Sequence, residues 1–125
     1  MSRIFKQIEI EGKPAVALFD TGATLSYVRR EFLSEVPKRT FRRPTRVGLG
    51  GKTIEVREAC LALAEIEGWD LEFEAVPVDD LGAADGHALD AMIGALAMER
   101  WEIRLDPKNG VLDLAGLRRR EFTEF

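Results

Sequence analysis

Apolar and polar residues alternate along much of the chain, and the alternation predicts short strands. IFKQIEI and PAVALF flank the turn signal EGK and predict a hairpin. TLSYV predicts another short strand. RREFLSEV breaks the alternation, because Phe32, Leu33 and Val36 fall at helical spacing and Pro37 then stops the helix. PTRVGLGGKTIEVREACLALAEI sets β-branched stretches around Gly48, Gly50 and Gly51, predicting a glycine-tipped hairpin that runs into a longer strand. EGW turns the chain into LEFEAVPV, which alternates again.

The next stretch, DDLGAADGHALD, is polar and glycine-bearing and predicts a loop. AMIGALAMERW begins as a buried strand at Met92 and Ile93, breaks at Gly94 and continues as a short helix. EIRLDPKNGVLDL predicts a last hairpin, with Pro107 and the Asn109-Gly110 pair in its turn. The tail RRREFTEF is expected to fray. There is no internal repeat and no low-complexity linker. The chain therefore reads as mainly β with one or two short helices, in one domain over residues 1–125 with its core at about 4–116 and a tail at 117–125.

Composition narrows the function classes. A chain of 125 residues holds one domain with a modest core, small enough for oligomerisation to help it. Apolar residues at 46% and charged ones at 32% are ordinary for a soluble globular chain. A formal charge of −4 argues against a nucleic-acid binder and against a membrane-surface protein. The longest apolar runs fall far short of the roughly 20 residues that span a bilayer. The start, MSRIFKQIEIEGK, alternates and carries charges, so neither a signal peptide nor an anchor is expected. Cys60 is the single cysteine, which rules out an intrachain disulfide and makes the cytoplasm the expected location.

One stretch stands apart. In VALFDTGATLSYV a carboxylate, Asp20, ends an apolar run and is followed by Thr21, Gly22 and Ala23. A buried carboxylate without a partner is costly, so its charge needs an answer. Asp-Thr-Gly suits a tight loop that holds one acid against another: Gly22 permits a backbone that bulkier residues resist, Thr21 offers a hydroxyl, and Ala23 allows close packing. Two carboxylates sharing one proton can act as base and acid in one step, one deprotonating water and the other protonating a scissile carbonyl oxygen. The chain contains one Asp-Thr-Gly, so the second carboxylate must come from another copy of the chain.

ALFDTGAT resembles the catalytic loop of the retropepsin-like aspartic proteases, the homodimeric family of the retroviral proteases. RVGLGGKTIEV is similar to the glycine-rich flap hairpin of that family, and DAMIGALAMERW to its second signature of two apolar residues, a glycine and a short helix. EIRLDPKNGVLDL follows as a terminal hairpin, as in the cellular and bacterial members. The resemblance implies a closed β-barrel of the acid protease fold. It implies Asp20 as catalytic acid and base, with Thr21 and Gly22 locking the loop and Ala23 and Gly94 as packing positions. Gly48, Leu49, Gly50 and Gly51 would form a mobile flap tip over a peptide or protein substrate. It implies a homodimer with no metal and no other cofactor. Leu96 stands where many members carry a polar or acidic residue, and Thr24 where the retroviral members carry a charge. A dimeric peptide-binding module that keeps the fold without turnover is the alternative.

Plainer readings accompany these residues. Asp20 can be a turn residue capping a loop. Cys60 and His87 could form a thiol nucleophile and its base, although Cys60 falls in an alternating strand where a small buried residue is expected. Asp79, Asp80, Asp85, His87 and Asp90 could collect a divalent cation, but their spacing fits no calcium or zinc motif and reads as a solvated acidic loop. Lys38, Arg39, Arg42, Arg43 and Arg46 surround Phe41, which invites a nucleic-acid reading that the acidic chain disfavours. A solvated loop before the flap, able to help bind acidic substrate residues, is the default for that segment.

Overall fold

Glu11 and Gly12 take left-handed backbone conformations, with φ of 51° and 77°, and so close the first hairpin with a turn whose twist matches its strands. That hairpin pairs β1 (Arg3–Ile10) with β2 (Lys13–Asp20), from Arg3 opposite Asp20 to Ile10 opposite Lys13. The computed structural model describes residues 3–124; residues 1, 2 and 125 of the expected domain lie outside the described residues. In β2, Ala17, Leu18 and Phe19 are all buried, as expected of a strand covered on both faces.

The chain continues into β3 (Ser26–Arg29). The helix expected over RREFLSEV is shorter than its spacing suggests: β3 extends through Arg29, leaving a single 3-10 turn at Arg30–Leu33. Phe32 and Leu33 are buried as the pattern requires, and the Lys38 ammonium caps the carbonyls of Leu33 and Val36, the latter at 2.9 Å. Two long strands follow, β4 (Arg39–Leu49) and β5 (Lys52–Ile66), and then β6 (Trp69–Val78). One part of β5 pairs with β4 and the other with β6, from Cys60 opposite Ala75 to Ile66 opposite Trp69.

The polar segment expected as a plain loop contains a small hairpin. Asp85 and Gly86, with φ of 49° and 79°, turn β7 (Ala83–Ala84) into β8 (His87–Ala88). Beyond it lie β9 (Ala91–Ile93), the helix α1 (Ala95–Arg100), and the hairpin β10 (Arg104–Asp106) to β11 (Val111–Asp113). One more short helix follows, ahead of most of the tail. Ala115–Arg119 forms a helix, α2, with Leu117 fully buried and Phe122 edge-on to the Trp101 ring at 5.9 Å between centroids.

Seven strands form one sheet in the order β1-β2-β9-β3-β6-β5-β4. β1 also pairs with β5, through Glu9 opposite Glu65 and Ile10 opposite Ala64, so the sheet closes on itself and leaves β4 outside the ring. Strand takes 57% of the structure and helix 12%, which makes the fold mainly β. The main core centres on Phe19, Ile10, Leu33, Ile66, Ile93 and Leu117. A smaller apolar cluster of Tyr27, Val56, Val76 and Val78 lies beneath the β4–β5 hairpin, with Val47, Leu49 and Ile54 packed against it. No helix among the described residues is long and apolar enough to cross a membrane.

Candidate active site

Asp20 is the last residue of β2, where the chain leaves the ladder with β1 and β9. Its carboxylate is half-buried, and Oδ1 accepts a hydrogen bond from the Gly22 backbone N–H at 2.8 Å. Its carbonyl oxygen accepts one from the Ala23 N–H at 3.2 Å, so the loop turns sharply around the acid. Thr21 and Gly22 stay exposed at the turn. The same loop is bound from behind. The carbonyls of Ala23 and Thr24 accept the N–H groups of Ala95 and Leu96, at 2.7 and 3.2 Å. These are first-turn donors of α1, which have no partner inside the helix.

Gly94 makes that approach possible. A Cβ there would collide with the carbonyl oxygen of Leu25 and stand 2.8 Å from that of Ala23. Its N–H donates to the hydroxyl of Ser26, a buried side chain, at 3.0 Å. The departure at Leu96 does not loosen the loop, since Leu96 holds it through its backbone and its side chain points to solvent.

Across from the loop stands the tip of the β4–β5 hairpin. Gly48 pairs with Thr53 and Leu49 with Lys52, leaving Gly50 and Gly51 as a two-residue turn with φ of 58° and 79°. Loop and tip share one cavity of about 790 Å³. Asp20, Gly22, Ala23 and Thr24 line one side, Gly48, Leu49 and Gly50 the other, and Leu25, Tyr27, Val47 and Met92 add apolar wall. Arg46 contributes the cation. Burial pushes the Tyr27 hydroxyl above its ordinary value, so it stays protonated at physiological pH.

The candidate residues therefore divide. The structure brings Asp20, Gly22, Ala23, Gly48, Leu49 and Gly50 to one cavity, with Thr21 beside it and Gly94 behind it. It does not assemble the other candidate clusters. Cys60 is buried with its thiol toward the Ala75 carbonyl, whereas the exposed His87 ring lies on Phe5, 4.6 Å between centroids. Burial pushes the Cys60 thiol above its usual range. Asp79 pairs with Arg30, and Asp80 accepts the Gly82 N–H at 2.9 Å. Among the described residues no three His, Cys, Asp or Glu side chains are placed to hold a metal ion.

Asp90 has a different role, which the sequence reading missed. Its Oδ2 accepts the Val16 N–H at 2.8 Å and its Oδ1 the Arg29 guanidinium at 3.0 Å. Its own N–H and carbonyl also bond to the backbones of Val16 and Arg29. One residue thus ties β2, β3 and the entry to β9 together, one strand length from Asp20. Its sequence signal is an acid immediately before the apolar run AMI. Ser26, hidden in TLSYV, left no such signal.

The aspartyl protease family model matches residues 7–109, most of the chain. The chain belongs to this aspartyl protease family, and its fold is retropepsin-like. Its fold is similar to that of the EIAV protease complexed with the inhibitor HBY-793, with a TM-score of 0.60 and 16% identity over 84% of this chain and 93% of that one. It is also similar to the retroviral protease-like domain of Ddi1 from Leishmania major, with a TM-score of 0.57 and 18% identity over 92% and 90% of the two chains. No curated protein matches the chain significantly.

Proposed function

We propose that the protein is a homodimeric aspartic endopeptidase whose dyad is Asp20 from each subunit. The observation that carries the reading is the cavity shared by Asp20 and the glycine hairpin. A peptide lies extended between the two, adding to the hairpin as a strand does. One carboxylate takes a proton from water as the oxygen attacks the scissile carbonyl, and the other gives its proton to the carbonyl oxygen. The tetrahedral intermediate then collapses: the carboxyl that took the water's proton gives it to the amide nitrogen, and one hydroxyl of the intermediate returns its proton to the other carboxylate. The C–N bond breaks to leave acid and amine, and the dyad holds one proton again. Like charges at close range keep that single proton on the pair.

Gly22 and Thr21 fix the carboxylate, Ala23 and Gly94 let the loop and α1 approach, and residues 48–51 close over substrate and exclude water. No metal or organic cofactor enters these steps. The lone, buried Cys60 accords with a cytoplasmic location.

The test is incubation with a mixed peptide library, wild type beside Asp20→Asn. Wild type cleaves and the variant loses about 10²–10⁴-fold in kcat/KM, as expected when a general acid–base group is removed. The variant melts no lower, because dyad repulsion is gone. Binding of library peptides by wild type without any cleavage would instead identify a noncatalytic peptide-binding module.

A further inference from the structure

Four arginines on β4, Arg39, Arg42, Arg43 and Arg46, have no ion pair and no side-chain hydrogen bond among the described residues. Elsewhere Arg29, Arg30, Arg57, Arg118, Arg119 and Arg120 each face a carboxylate, whereas Arg3, Arg100 and Arg104 are scattered and do not. What sets β4 apart among the described residues is that four such arginines share one strand, in a chain with 22 acidic residues and a net charge of −4. Even Glu55, directly across from Arg46 in the ladder, bonds to Arg57 instead. The arginines on β4 are left for something outside the chain.

Their positions say where it runs. Arg46 lines the cavity that holds Asp20. Arg39 lines a second, largely apolar cavity of about 600 Å³, together with Val36, Phe41 and Leu61. Arg42 and Arg43 lie between them, where the β4 register shifts between Thr40 and Thr45. At about 3.3 Å per residue the path from Arg46 to Arg39 is about 23 Å, or about seven residues of extended peptide. β4 is also the open edge of the sheet, paired on one side with β5, so an added strand finds backbone donors and acceptors there.

We propose that the preferred substrate carries an acidic flank next to its apolar scissile stretch, with Arg46 holding the first carboxylate and Arg43, Arg42 and Arg39 holding those that follow. This rests on reading the Asp20 cavity as a peptide groove. Guanidinium groups suit the task because they stay charged and grip carboxylates with paired donors. The negative dyad excludes acids from the centre of the groove, which leaves the flank as the place for them.

The test uses Asp20→Asn protein, which holds peptides without turning them over. Labelled peptides share one apolar core and differ in a flank of about seven residues, Glu-rich or Gln-rich, and binding is followed by fluorescence anisotropy. The Glu-rich peptide should bind about tenfold tighter at about 0.05 M salt, and the gap should close to about twofold at 0.5 M, as exposed charges are screened. Arg→Gln at positions 39, 42, 43 and 46 together should remove the gap, and Arg→Lys at the same four should keep most of it. Equal binding of the two peptides, or a gap that survives the four Gln substitutions, overturns the proposal. So does an oligothymidylate of equal charge that binds more tightly than the Glu-rich peptide. If the gap is found but wild type cleaves neither peptide, the acidic flank stands and the endopeptidase reading falls.

Discussion

Gly94 rests directly on the carbonyl oxygen of Ala23, so that a Cβ at position 94 would stand 2.8 Å from it and closer still to the oxygen of Leu25. The contact joins the start of α1 to the loop that carries Asp20. Both obstructing groups are backbone, and their movement would pull on the hydrogen bonds from Ala95 and Leu96 that hold the loop.

Gly94→Ala should therefore destabilise the domain by about 1–3 kcal/mol, the usual cost of forcing a methyl into a packed site. Denaturant unfolding reads it as a lower midpoint with an unchanged slope. Activity should fall as well, because the loop must shift to admit the methyl. An unchanged midpoint would show that the loop yields without cost.

Cys60 provides a test of chemistry. Burial raises its thiol above the ordinary value of 9.0, so the neutral form persists and the reactive thiolate is scarce. Iodoacetamide at pH 8 should leave both the thiol and peptidase activity intact in the native protein and should modify it on unfolding. The sign for stability follows. Above pH 9 the unfolded chain gives up its thiol proton while the folded chain keeps it, so this group's contribution is lost as pH climbs past that value. Rapid inactivation by alkylation would mean that Cys60 belongs to the chemistry.

How much of this was legible in the sequence depends on the kind of signal. Turn residues marked the β1–β2, β4–β5 and β10–β11 hairpins, and alternation marked β6, where buried and exposed positions do alternate from Asp70 to Ala75. The Asp20 loop, the glycine tip and the break at Gly94 were legible because each needs a residue type that little else can replace. The α2 helix and the hairpin within residues 79–90 went unassigned for a common reason. Leu117 just ahead of three arginines and Leu89 inside a polar loop are single anchors, and one buried side chain makes no period. Asp90 was visible as an acid, but the partners that decide its role, Val16 and Arg29, lie far away in the chain. Pairing across the ring, such as Ile10 with Ala64, has no local trace at all.

The glycine tip should behave opposite to Gly94. A Cβ at Gly50 or Gly51 would meet nothing within 4 Å, so side chains there have room. The obstacle is the backbone, since φ of 58° and 79° is strained for a β-branched residue. Gly51→Val should cost about 1–2 kcal/mol locally and, by reshaping a tip that must open and close, lower kcat/KM about tenfold or more. Hydrogen exchange checks the same point: amides 48–51 should exchange fast in the free protein and slow down with a peptide-like inhibitor. Equal protection in both states would make the hairpin a fixed wall.

The final prediction concerns assembly. One chain holds one Asp20 loop and one glycine hairpin around its cavity, whereas the mechanism requires two carboxylates. A two-fold axis beside Asp20 would supply the second, each subunit presenting the same patch. The β10–β11 sheet offers further contact, since it stands apart from the large sheet and exposes Val111. Specific activity should then rise with protein concentration through the dimer dissociation constant, and sedimentation should show the dimer over the same range. Mixing wild type with a ninefold excess of Asp20→Asn should cut activity to about one tenth by random pairing. Two chains joined by a flexible linker should lose the concentration dependence, because their encounter becomes intramolecular. A monomer that is fully active at every dilution would exclude the shared dyad and require a second acid from the same chain.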